Sequence, residues 1–338
     1  MKARRYPAPL RLRIAAAAGV VLLAGVACTA GAQTSGAARD NFPVKPIRFV
    51  IGFPPGGGND TLARMAGVKL GERLGQPIVI DNRPGAGGIV AGETVAHAVA
   101  DGHTILMMSS SLTIQGLIKK NLPYDTIRDF AGVSQLAIYR SVLVCHPAVA
   151  ATSVRDLVAL AHAKPGTLNF ASSGYAVGSH LAGELFKIAA RVDITHVPYK
   201  GTGPAMTDLL SGRVQLMFAP MVPLLPHVQS GRLRALAVTS TTRSRIMPEL
   251  PTIAESGVPG YDFVAWYGVV APAATPRTAV GKLNAEIAHV MQTPEIRERL
   301  NAEDMEFAPA TPEQFNATRK AEVAKWAKII KQMPVVAE

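Results

Sequence analysis

Residues 53–60 read FPPGGGND, and the reading of this stretch decides the fold. Upstream, residues 47–53 (IRFVIGF) form a short apolar run of the kind buried strands use. Downstream, Leu62, Met65, Ala66, Leu70 and Leu74 recur at helical spacing. The glycines therefore close a strand and open a helix. Lacking Cβ atoms, they let backbone N–H groups approach a ligand closely. Asn59 or Asp60 can cap the helix, whose first amides and partial positive charge favour an anionic group. A plain turn has little need of three adjacent glycines, which cost chain entropy on folding.

The same rhythm continues outward. Residues 78–81 (IVID) and 104–108 (TILMM) are further apolar runs bounded by Gly, Pro or Asp. Strand and helix in alternation predict a parallel sheet. A second set of runs at 141–146, 168–171, 194–197, 214–218 and 233–239 alternates with helical stretches near 153–163, 179–190, 204–211 and 221–230. A second α/β sheet is therefore expected over about 138–261. The chain then passes through residues 263–271 (FVAWYGVVA) into a helix over 276–291 that Pro276 opens. Thr311-Pro312-Glu313 begins a last helix reaching about Lys331. No fixed short period runs through the chain, which argues against a solenoid. On the last helix Arg319, Lys320, Lys325, Lys328 and Lys331 scatter round the axis, interrupted by Glu313 and Glu322. That pattern predicts a solvated face, not a nucleic-acid surface.

Two loops of the second set repeat the design of the first. Ala171-Ser172-Ser173-Gly174 ends a strand, and Gly178-Ser179-His180 opens a helix with Ser179 as the expected cap. Val197-Pro198-Tyr199-Lys200-Gly201-Thr202-Gly203-Pro204 again joins a strand to a helix. Strand ends and helix starts from both sets would face one crevice, where open α/β sheets bind ligands. Serine hydroxyls, Tyr199 and amide N–H groups would make that crevice rich in donors.

The charge points elsewhere. The formal net charge is +11, yet residues 1–32 hold Lys2, Arg4, Arg5, Arg11 and Arg13 and no acid, so the remainder carries +6. Residues 14–27 (IAAAAGVVLLAGVA) are apolar and uncharged, too short for a membrane span but suited to a secretory core. Ala30-Gly31-Ala32 supplies small residues for cleavage before Gln33. Residues 1–32 are thus expected to be an export signal. A lipid anchor on Cys28 is disfavoured, because Gly25-Val26-Ala27 lacks the large aliphatic residue usual three before such a cysteine. Cleavage leaves Cys145 as the one thiol, in an apolar run (SVLVCHP) that reads as an inert core strand.

Catalytic and nucleotide motifs do not fit. The glycine loop is followed by Asn59-Asp60 where a P-loop needs Lys and Ser or Thr. Gly85-Ala86-Gly87-Gly88-Ile89-Val90 starts as a dinucleotide fingerprint does, then places Val at the last small-residue position. There is no Gly-x-Ser-x-Gly elbow, and the eight histidines contain no HExxH pair or other close metal spacing. No metal or cofactor is expected, and His180 and His196 are expected to be hydrogen-bonded structural groups. A triad assembled from distant residues keeps a secreted α/β enzyme acting on a small carboxylate as the competing class.

At these loops the chain resembles the Bug-type extracytoplasmic solute-binding proteins of tripartite tricarboxylate transporters. The matching stretches are FPVKPIR (42–48), FPPGGGND (53–60), LGQPIVIDNRPGAGG (74–88), DGHTIL (101–106), LPYDTIRDF (122–130), KPGTLNFASSG (164–174), HVPYKGTGPAMTDLLSGRVQLMF (196–218), LPHVQSGRLRALAVTS (225–240), LPTIAESGVPGYD (250–262) and KAEVAKWAKIIK (320–331). The resemblance implies a type II periplasmic-binding-protein fold, two α/β lobes with a ligand cleft between them. Residues 42–137 with 262–338 would form one lobe and 138–261 the other. It implies a periplasmic receptor that captures a small organic carboxylate by lobe closure. The receptor would act as a monomer and deliver its ligand to integral-membrane permease subunits or to a sensor, with no nucleic acid involved. Carried over by position, the ligand set is Phe53, Pro54, Gly56, Gly57 and Asp60, then Ser110 and Ser111 of the Ser109-Ser110-Ser111 turn. In the second lobe it is Ser172, Ser173, Gly174, Ser179, His180, Tyr199, Gly201, Thr202 and Ala219. Many relatives have an acidic or amide residue where this chain has Ala219-Pro220, which favours an acid without a free amine.

Overall fold

A computed structural model describes residues 41–56, 58–119 and 121–333. The export signal, its cleavage site and Cys28 lie outside the described residues.

Among the described residues ten strands form one hydrogen-bonded sheet. They are β1 (Ile47–Ile51), β2 (Ile78–Asn82), β3 (Thr104–Ser109), β4 (Phe130–Cys145), β5 (Asn169–Ser172), β6 (Thr195–Pro198), β7 (Leu216–Pro220), β8 (Arg234–Val238), β9 (Val264–Pro272) and β10 (Met305–Glu306). The helices are α1 (Gly58–Leu74), α2 (Ile89–Ala96), α3 (Ser110–Thr113), α4 (Gln115–Ile118), α5 (Val154–Ala163), α6 (Gly178–Ala190), α7 (Thr202–Leu210), α8 (Leu225–Gln229), α9 (Arg277–Met291), α10 (Pro294–Ala302) and α11 (Pro312–Ile330). None of the described helices is long and apolar enough to cross a membrane.

The strand order is β2-β1-β3-β9-β4-β7-β5-β6, with β8 and β10 also pairing to β4. Strands β1, β2 and β3 are parallel, as β-α-β order predicts, and β9 joins β3 antiparallel. In place of two separate sheets, β4 crosses from one half to the other. Its first part, to Arg140, pairs with β9, and its last part, from Ser141 to Cys145, lies between β7 and β8. The sequence reading starts this strand at residue 141, eleven residues late. Ser134 and Gln135 break the apolar period there, yet both are buried, and register shifts at Gly132/Ser134 and Gln135/Ala137 absorb them.

Alternation along the strands fills both faces of each half. In the first half, Ile47, Phe49 and Ile51 meet Leu62 and Leu70 of α1 and Leu283 and Ile287 of α9. Val50 points the other way, into a cluster with Leu106, Met108, Trp266 and Phe315. In the second half, Leu143 and Cys145 face Phe170, Leu181 and Phe186, while Val142 and Val144 face Met206 and Leu209. Cys145 is fully buried and burial pushes its thiol up to about 11, so it is inert as expected.

Helix α11 touches both halves. Phe315 packs in the first-half cluster and Trp326 in the second-half one. Between them Arg319 is fully buried, which corrects the expectation of a solvated basic face. Its guanidinium donates to the Thr126 and Phe130 carbonyls and to Asn316 Oδ1, so backbone oxygens replace water around the charge. Lys320, Lys325, Lys328 and Lys331 are exposed, as predicted.

Candidate ligand-binding site

The glycine loop is built around Asp60, a buried acid in the first turn of α1. Its carboxylate accepts from the Gly56 N–H, from Arg64 Nε and from Asn82 Nδ2, each at 2.9 Å. Asn82 also donates to the Phe53 carbonyl at 3.0 Å, so both shoulders of the loop are pinned. Burial alone would raise the Asp60 pKa, but the bonds from Arg64, Gly56 and Asn82 outweigh it and hold the carboxyl below its ordinary value. Gly56 sits at φ +87°, a left-handed conformation that other residues rarely adopt. Because α1 begins at Gly58, Asn59 and Asp60 lie inside its first turn and not at the cap, and Asp60 reaches back to the loop. Phe53 is half-buried, Pro54 and Gly56 are exposed, and Gly57 lies outside the described residues.

The serine turn closes the next strand. Ser109 caps α3 by accepting the Leu112 N–H at 3.2 Å and meets the Ser111 hydroxyl at 3.0 Å. Ser110 Oγ lies 3.5 Å from the Trp266 N–H, tying the turn to β9. All three serines are buried.

In the second half, the Ser172 hydroxyl donates to the Gly174 carbonyl at 2.7 Å and accepts the Gly174 N–H at 3.3 Å. His196 Nε2 lies 2.6 Å from the same hydroxyl, and with the Ser172 proton on the Gly174 carbonyl the neutral ring donates from Nε2. His180 Nδ1 accepts the Ala176 N–H at 3.1 Å, and the two imidazole rings lie 4.1 Å apart. Burial, then the neighbouring His196 and Lys187, push His180 down to about 3, and burial with Lys187 pushes His196 down to about 4. Both histidines are neutral supports of the loop, in line with the structural role expected of them.

Ser179 does not cap α6. The helix starts one residue earlier, with Val177 as N-cap, and Ser179 instead accepts the Ser173 N–H at 3.0 Å and meets its hydroxyl at 3.1 Å. The first amides of α6 are therefore left without a side-chain acceptor. The N-cap of α7, Gly201, likewise has none, and Thr202 is its first residue. Tyr199 N–H and Gly201 N–H bond the Ser172 and Ser173 carbonyls at 3.0 and 3.1 Å, which stitches the two loops together. The Tyr199 hydroxyl is committed to Asp208 at 2.8 Å. Ala219 is buried in β7, opposite Val142.

Two tyrosines that the sequence did not single out join the halves. Tyr139 on β4 and Tyr267 on β9 stack at 4.7 Å. A Cβ placed at Gly58 would lie 3.6 Å from the Tyr267 hydroxyl, and one at Gly178 would lie 3.8 Å from the Tyr139 hydroxyl. The starts of α1 and α6 thus meet across this pair. A second junction lies at the 85–88 turn, where a Cβ at Gly88 would stand 3.8 Å from the Phe53 ring. One at Gly87 would stand 2.9 Å from Gln115 Nε2 and 3.9 Å from Val177. The signal for the tyrosines was faint: both sit in strands whose apolar neighbours read only as core.

Several polar groups on these segments are buried without a protein partner: Asn59 Nδ2, both amide atoms of Gln115, and Trp266 Nε1. Among the described residues no cluster of His, Cys, Asp and Glu could hold a metal ion. The arrangement can therefore bind an anion through neutral donors, helix starts and ordered water.

Known proteins share this architecture. A family model described as "Tripartite tricarboxylate transporter family receptor" matches residues 62–335. The chain is 40% identical over 311 residues to the "UPF0065 protein in tcbD-tcbE intergenic region" of Pseudomonas sp., covering 91% of this chain and 93% of the relative. An R. palustris protein solved with adipate is 35% identical at TM-score 0.80, with 86% of this chain and 97% of that one covered. The periplasmic binding protein BugD is 31% identical at TM-score 0.78, with 87% and 99% covered.

Proposed function

The chain belongs to the tripartite tricarboxylate transporter family of receptors, the Bug-type solute-binding proteins, and on that premise we propose that its solute is a small organic carboxylate. The observation that carries this reading is the meeting of the uncapped start of α6 with the start of α1, which the glycine loop opens, across the Tyr139–Tyr267 pair. A carboxylate supplies the acceptors that those amides lack. In this reading residues 42–137 with 262–338 form one lobe and 138–261 the other, and β4 and β9 serve as the hinge. The binding set is the one carried by the loops: Phe53, Pro54, Gly56, Gly57 and Asp60, with Ser110, Ser111, Ser173, Gly174, Ser179, Gly201 and Thr202. Ser172, His180 and Tyr199 act by holding the loops, because the Ser172 hydroxyl and His180 Nδ1 bond loop backbone and the Tyr199 hydroxyl bonds Asp208. Ala219 offers no countercharge to an ammonium group, so an acid without a free amine is favoured. The exported chain works in the periplasm, holds its ligand without converting it, and presents the closed form to a membrane permease.

A thermal-shift panel of C3 to C8 mono- and dicarboxylates, adipate among them, tests this. A binder raises stability as RT ln(1 + [L]/Kd), which at a hundredfold excess over Kd is about 2.7 kcal/mol. At least one acid should raise Tm by several degrees and be recovered unchanged by mass spectrometry. Turnover of the stabilising acid, or no response to any acid, would sink the reading.

A further inference from the structure

We propose that Gln115 is a specificity-determining residue that selects acids bearing a hydroxyl group in addition to the carboxylate. The inference rests on the receptor reading and names the class of ligand within it. Gln115 is 1% exposed, and neither its Nε2 nor its Oε1 has a hydrogen-bond partner in the protein. A buried amide left open at both ends is costly, so such a group persists where something outside the chain completes it. Its position supports this. Gln115 follows the serine turn and faces Gly87, where a Cβ would stand 2.9 Å from Nε2. Only glycine at 87, at φ +69°, leaves room for the amide there. Gly87 in turn neighbours Val177, the N-cap of α6, and Gly88 neighbours Phe53 of the glycine loop. The amide is thus at the junction of the segments that carry the proposed carboxylate site.

The chemistry of the open group defines what it takes. Nε2–H donates and Oε1 accepts. A bare carboxylate has acceptors only and satisfies one of the two. A hydroxyl, which donates and accepts, satisfies the other. A neutral amide does not compensate the charge of an ammonium group, so the hydroxyl is the donor that fits.

Matched acids with and without a hydroxyl test the proposal by calorimetry: malate and succinate, lactate and propionate, mandelate and phenylacetate. In the wild-type protein the hydroxy acid of the binding pair should be tighter by about tenfold, the value of one hydrogen bond. In Gln115→Met, which keeps the shape and removes the amide, that preference should vanish. The ligand-free Tm of the variant should stay level or rise, because an unfilled polar group has gone. An unchanged preference, a wild type that binds both members equally, or a fall in ligand-free Tm each overturns the proposal, the last by revealing an internal partner for the amide. If neither these acids nor any acid of the thermal-shift panel binds the wild type, the receptor reading itself fails; if a panel acid binds and every hydroxy acid is refused, the Gln115 proposal alone is overturned.

Discussion

His180 and His196 lie ring against ring in a tilted pair at the loops of the second half, and both are uncharged at neutral pH because burial disfavours the imidazolium. In the unfolded chain each would titrate near the ordinary histidine value of 6.5, but in the fold at about 3 and about 4. The native state takes up protons less readily, so this stability is full above pH 6.5 and is lost as pH falls toward the folded values. Glu184 acts in the opposite sense: burial raises it, so its contribution is present below pH 4.5 and lost as pH climbs through its raised value. Burial raises Glu322 in the same way, so two strongly shifted histidines stand against two raised carboxyls, and the histidines set the net sign. We expect Tm to fall by roughly 2–5 °C between pH 6.5 and 4.5, before ordinary carboxylates protonate. His196→Gln should flatten that slope, and a melt series with the same slope in both proteins would contradict the assignment. At this scale the glycine loop was legible, because FPPGGGND has no other economical use. Gln115 and Tyr139 were not legible. Their meaning lies in what they fail to bond or what they stack upon, and neither has a period or spacing in the chain.

At the scale of elements, β9 and α11 fit by way of one missing side chain. A Cβ at Gly268 would lie 2.2 Å from the Phe315 ring, so the ring occupies the space a side chain on the strand would need. Gly268→Ala should destabilise the protein by about 1–3 kcal/mol through overpacking. Phe315→Leu in the same chain should return part of that loss, a coupling that contacting residues show and distant ones do not. Denaturation midpoints of the two singles and the double decide it, since strict additivity would mean the ring and strand do not compete. Most elements could be read from apolar runs, among them β1, β3, β7 and β9, which are buried on both faces. Helix α10 escaped notice because only Ile296 and Leu300 of its residues are buried, too few to mark a period. The first part of β4 escaped because bulges hide its alternation. Arg319 was misread because a basic residue buried against carbonyl oxygens looks, in sequence, like any other on a charged helix.

For the whole molecule, β4 and α11 both belong to the two halves at once. The strand carries the sheet from one to the other, and the helix lays Phe315 on the first and Trp326 on the second. Motion of one half against the other must therefore bend β4 and shift one end of α11 against its packing. The net charge of +6 that remains without the first 32 residues helps draw anions to the surface. Discrimination among them is left to uncharged groups.

The chain has two tryptophans, and their placement gives the protein an optical signal of its own. Trp266 has its backbone N–H against Ser110, beside the proposed site, while Trp326 lies on α11 with its ring centre 6.1 Å from that of Phe263. Emission from the first should register occupancy, and emission from the second should register movement of the helix end. Trp326→Phe and Trp266→Phe isolate the two channels. In stopped-flow mixing with a binding acid, the Trp266 signal should rise with ligand concentration as an encounter does, and the Trp326 signal should level off at the rate of closure. A Trp326 signal that never responds would mean that α11 stays still while the ligand is taken up.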